Sequence, residues 1–63
     1  MNYKVIVKRI REKLIITQAE LAELLDVSFA SINRWETGKH EPTTKDKRII
    51  VDLCKKNNIS LEE

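Results

Sequence analysis

Two helix-start signals stand close together in the middle of this chain, in the run Thr17 to Gly38, TQAELAELLDVSFASINRWETG. Thr17 is followed three residues on by Glu20, the spacing of a capping box. In such a box the hydroxyl and the carboxylate each satisfy a backbone N–H that the first helical turn leaves unpaired. Ser28 is a second good N-cap. Ile16 with Leu21, and Val27 with Ile32, are apolar pairs placed to staple the chain across each cap. Leu21, Leu24, Leu25, Val27, Ile32 and Trp35 keep helical spacing with one break, at Asp26. Few arrangements accommodate this pattern other than two short helices joined by a tight turn.

The turn accounts for two residues. Helices that cross steeply bring their backbones close, and Ala22, one turn before Asp26, supplies the small side chain that such a crossing needs. Asp26 is expected in the left-handed conformation that ends the first helix of the pair, which Asp tolerates better than a branched residue does.

The longer run TQAELAELLDVSFASINRWETGKHEP resembles the helix-turn-helix of the phage-repressor and Cro family, also called the xenobiotic-response-element family. There T-Q-x-x-L-A, a turn, S-x-x-x-I and W/L-E-x-G-K-x-x-P recur in this order, and the resemblance covers Arg9 to Pro42. It implies an all-α, compact four- to five-helix domain like that of the lambda repressor, occupying residues 1–63, with the helix-turn-helix proper at about 17–38. Two departures stand out. Family members usually carry Gly at the turn and before the T-Q pair, where this chain has Asp26 and Ile15, so the bend after the first helix is expected to avoid a left-handed residue at Ile15. The last helix also starts further beyond Pro42 than is usual.

Length and composition agree with a small helical bundle. At 63 residues only one domain is possible, and a core of this size is marginal without good packing or a partner. A single Gly, a single Pro and few aromatics favour helices over hairpins. No apolar run reaches membrane-spanning length and the start MNYKVIVKRIREK is too charged for a signal peptide, so a cytoplasmic protein is expected. The lone Cys54 reads as a buried small hydrophobe. Neither a metal nor a cofactor is expected, because no Cys, Asp or second His has ligand spacing around His40.

The remaining helices follow from periodicity. The first is expected from an Asn2 cap to about Leu14, with Tyr3, Ile6, Ile10 and Leu14 inward. The last begins near Thr44 and runs to about Asn57, with Ile49, Ile50, Leu53 and Cys54 inward. Ser60 with Glu63 has capping-box spacing, which leaves open a fifth helical turn or a chain cut from something longer.

The functional expectations centre on the second helix of the pair. Its exposed start would approach base edges in a major groove, which selects Ser28, Phe29, Ala30, Asn33 and Arg34. Arg34 can donate two bonds to a guanine edge. Phe29 and Ala30 could touch only thymine methyls, and packing of Phe29 on the stem of Gln18 is the other reading of that residue. The resemblance assigns phosphate contacts to Thr17, Gln18, Thr37, Lys39 and His40, and a structural ion pair to Arg11 and Glu36. Trp35 reads as core beside Ile32. The net charge of +2 says little alone, but Lys4, Lys8, Arg9, Arg11 and Lys13, with Lys39, Lys45, Lys47, Arg48, Lys55 and Lys56, read as a basic rim around the reader.

The function expected is sequence-specific binding of double-stranded DNA by a transcriptional regulator of repressor type. Its site would be a palindromic operator on which two copies form a homodimer. The alternatives are an antitoxin or other partner-binding module, marked by an apolar patch around Val51, and the DNA-targeting domain of a larger protein. An enzyme is not expected, since no catalytic constellation can be assembled.

Overall fold

The computed structural model describes residues 2–62. Four helices follow in order: α1 Tyr3–Leu14, α2 Gln18–Leu25, α3 Phe29–Thr37 and α4 Thr44–Lys56. Side-chain caps open three of them. Thr17 Oγ1 accepts from Glu20 N and Glu20 Oε1 accepts from Thr17 N, completing the capping box. Ser28 Oγ accepts from Ser31 N, and Thr43 Oγ1 accepts from Asp46 N. Asn2 occupies the cap position of α1 in extended conformation without a side-chain bond. A substitution to Ala at a bonded cap of this kind costs about 1 kcal/mol.

All four helices also end in the same way. Ile15, Asp26, Gly38 and Asn58 are left-handed, with φ of 56°, 57°, 79° and 54°. The next N–H in each case reaches back to a carbonyl of the last turn: Ile16 to Arg11, Val27 to Ala22, Lys39 to Arg34 and Ile59 to Cys54. This is the Schellman arrangement, in which the residue after the left-handed one folds back on the helix it has left. Three of those following residues are apolar, and Ile16, Val27 and Ile59 turn their side chains into or against the core.

The expectation that the bend after α1 avoids a left-handed Ile15 is therefore overturned. The Ile15 side chain is 89% exposed, so packing does nothing to offset the cost of this backbone. That cost is roughly 1–2 kcal/mol for a residue with a Cβ. The motif pulls Ile16 toward the core and delivers Thr17 directly to its cap, and the chain tolerates the strain to make both connections.

The core draws on every helix: Ile6, Val7 and Ile10 from α1, Leu21, Ala22 and Leu25 from α2, Ile32 and Trp35 from α3, Ile50 and Cys54 from α4. Ile59 closes it from the segment after α4. Ala22 is buried, as expected, and Trp35 is core. Tyr3, Leu14, Ile49 and Leu53 are only partly buried, whereas Val7 is fully buried although the three- and four-residue spacing of α1 passes over it. Leu24, part of the apolar periodicity, lies outside the core and is 54% exposed. Beyond α4 no fifth helix forms among the described residues. The Ser60 capping box falls partly outside them at Glu63, and Ser60 Oγ accepts instead from Glu62 N. Burial pushes the Cys54 thiol up, away from thiolate chemistry.

Replacing Ile15 by Gly relieves the left-handed strain at some cost in chain entropy, for a net gain of about 0.5–1 kcal/mol. The expected readout is a higher urea midpoint at unchanged slope. A lower midpoint would show that the exposed side chain stabilises the fold after all.

Candidate nucleic-acid interface

The reader helix α3 divides cleanly around its axis. Phe29, Ala30, Asn33, Arg34 and Thr37 are exposed, while Ile32, Trp35 and Glu36 are buried and Ser31 is half-buried. At 3.6 residues per turn the exposed set spans about 140° of arc, one continuous stripe. Phe29 is 55% exposed, so packing on Gln18 does not cover it. The stripe begins at Ser28, whose hydroxyl is occupied by its cap bond and by a 2.9 Å contact with the Ser31 hydroxyl.

Glu36 fixes α3 beside this stripe. Arg11 donates from Nε and Nη2 to the two carboxylate oxygens of Glu36, at 2.5 and 2.7 Å. The Gln18 side chain lies near enough to the same carboxylate to help lower its pKa. Burial pushes the Glu36 pKa up and is the largest single influence on it. The bonds from Arg11 and the nearby Gln18 amide, with the charges of Arg11 and Lys8, outweigh it and hold the carboxyl below its ordinary range. The bond to Glu36 in turn raises the Arg11 pKa. The expected Arg11–Glu36 pair is present, with the Gln18 side chain at the start of α2 near it.

The same region holds several of the expected phosphate-contacting positions. Gln18 at the first turn of α2 lies near the carboxylate next to Thr37, and Gly38 then swings Lys39 and His40 out, both exposed. The backbone N–H groups of Lys39 and His40 both donate to the Arg34 carbonyl, at 2.9 and 3.4 Å. Thr17 spends its backbone N–H on Glu20, which leaves its hydroxyl proton to donate outward. Thr37 donates its hydroxyl to the Asn33 and Arg34 carbonyls, so a bond to phosphate from this residue needs a change of rotamer.

The two arginines of α1, both in the expected basic rim, are engaged elsewhere. Arg11 is neutralised by Glu36, and Arg9 donates from Nη1 to the Ser60 and Glu62 carbonyls at 2.7 and 2.6 Å, tying down the segment after α4. Lys39, Lys45 and Arg48 are exposed, and Lys47 is half-buried.

Two capped helices meeting at a tight left-handed turn, the second showing an unburied stripe, define a helix-turn-helix DNA-binding module. The sequence model described as helix-turn-helix matches residues 7–63, and the chain belongs to that family, the Cro and xenobiotic-response-element type. Its members are DNA-binding proteins typical of transcriptional regulators. No individual curated protein and no solved structure gives a match. No helix among the described residues is long and apolar enough to cross a membrane.

Arg11→Ala would strand a buried carboxylate, costing about 3 kcal/mol, the low end for a broken buried pair because Arg11 retains some solvent. A fall in Tm of roughly 12–24 °C is expected for a domain of this size. Glu36 is more acidic folded than unfolded, so its contribution is complete above the ordinary carboxylate value of about 4.3 and is lost as pH falls through the depressed folded value. Glu36→Gln should lower stability at neutral pH and flatten the acid limb of the stability curve. An unchanged acid limb would show that the pair does not govern acid sensitivity.

Proposed function

We propose that this chain is a sequence-specific transcriptional regulator of repressor type that reads double-stranded DNA by laying the exposed stripe of α3 in the major groove. The observation that carries this reading is the stripe itself, where Phe29, Ala30, Asn33 and Arg34 face solvent in one run although Phe29 is a large apolar side chain. A duplex edge accounts for all four. Arg34 pairs with a guanine O6 and N7, Asn33 bonds a base edge, and Phe29 and Ala30 cover thymine methyls. Ser28, with its hydroxyl held by the cap, contributes at the edge of the stripe.

Thr17, Gln18, Lys39 and His40 set the register on phosphate, joined by Thr37 once its hydroxyl turns. The first turn of α2 offers unpaired backbone N–H groups to the same phosphate that Gln18 meets. A single module buries only about 600–1,000 Å² on DNA, so two copies on a palindrome about one helical turn apart form the working unit. The fold suits a protein of the cytoplasm, where the DNA is.

Selection from random duplexes at two salt concentrations tests this assignment. Arg34→Ala is expected to relax preference at one base pair, worth about 1–3 kcal/mol of discrimination. Lys39→Ala is expected to weaken all sequences alike and to reduce the salt slope by up to about one unit. Uniform losses from both variants would overturn the division of roles, and no duplex binding at low salt would overturn the function.

A further inference from the structure

Two surface features lie outside the reader stripe, and they are complementary. The first is a groove of about 360 Å³ between the start of α1 and the outer face of α4. Tyr3 and Val51 supply its apolar surface and Lys47, Arg48 and Lys55 its cations. The Lys47 ammonium lies 5.2 Å from the centre of the Tyr3 ring. The one acidic residue lining it, Asp52, is paired with Lys56 at 3.2 Å, and Lys47 has only a long exposed contact of 3.7 Å with Glu41. The groove is therefore a basic rim over an apolar floor.

The second feature is the outer face of α2. Leu24 stands 54% exposed there, flanked by Glu20 and Glu23, which line a shallow depression with it. An exposed Leu between two carboxylates is an apolar contact point in an acidic collar, here termed the knob, and it is the counterpart of the groove in charge.

We propose that the α2 face of one copy seats in the α1/α4 groove of the next, with Leu24 over Tyr3 and Val51 and with Glu20 and Glu23 facing Lys47, Arg48 and Lys55. The contact joins unlike patches. A two-fold contact made through the groove alone sets Lys47, Arg48 and Lys55 against their own equivalents, and one made through α2 alone sets carboxylate against carboxylate. The patch is well below the area of a stable interface, about 1,200 Å². Association in free solution is accordingly weak, with a dissociation constant on the order of 1 mM. It becomes effective where copies are held side by side, since tethering raises their effective concentration. Formation of the contact in solution does not rest on the DNA-binding reading.

Sedimentation velocity in low salt, at concentrations up to about 1 mM, reads this directly. The sedimentation coefficient of the native chain should rise with concentration and the rise should vanish in high salt. Glu23→Lys spoils the knob and Arg48→Glu spoils the groove; both positions are exposed, and circular dichroism checks that each variant folds. Each variant alone should stay monomeric, with association weakened about tenfold or more. Both substitutions in one chain should restore association. An equimolar mixture of the single variants should form dimers that grow no further, because one intact knob meets one intact groove. A native chain that stays monomeric throughout, variants that associate like the native chain, or a mixture as inert as its components would each overturn the proposal.

Discussion

A buried carboxylate organises this small protein. Glu36 is buried on α3 with almost no solvent, a position tolerable only because Arg11 bonds both of its oxygens. Arg11 approaches from α1 with a two-pronged grip. Two helices thus meet at one charged group, with Gln18 of α2 nearby. Apolar packing alone allows α3 to rotate or slide among near-equivalent arrangements, whereas a bidentate pair has one geometry. With Ile32 and Trp35 in the core and Glu36 clamped, the stripe from Phe29 to Thr37 faces outward.

The second constraint is economy of chain. Every helix ends in the same left-handed turn, yet only Gly38 is a glycine. The repeated motif turns each short helix sharply and returns the following residue to the core, most visibly at Ile16, Val27 and Ile59. Asp26 and Asn58 belong to the residue types that accept this backbone best after glycine, and Ile15 does not. Strain at Ile15 sits immediately before the cap of α2, next to the turn that bears Gln18, so the fold is stressed where the candidate interface begins.

Much of this was legible in the residues because the relevant interactions are local. Caps at Thr17 and Ser28 act within a turn of their own helix, and the bounds of α2 and α3 follow from them. The Arg11–Glu36 pair was accessible through resemblance. What escaped was long-range or conformational. Arg9 reads as one more surface cation until the segment after α4 returns to meet it. Leu24 obeys helical spacing, but α2 is short and Leu21, Ala22 and Leu25 already fill its inner face. Ile15 was misjudged because side-chain preference argues against a left-handed branched residue, while the hydrogen bond from Ile16 to Arg11 argues for it and prevails. The commitments of Thr37 and Ser28 hydroxyls to their own helix are likewise a matter of rotamer, which composition cannot convey.

The central claim is that the outer stripe of α3 lies in a major groove with Arg34 on a guanine. Guanine N7 is exposed in that groove alone, so its methylation by dimethyl sulfate on a selected duplex reports occupancy directly. The account predicts N7 protection at one guanine in each half-site with the native chain, and loss of that protection with Arg34→Ala under low-salt conditions where the duplex remains bound. Methylation unaffected by saturating protein, or protection that survives removal of the Arg34 side chain, would contradict it.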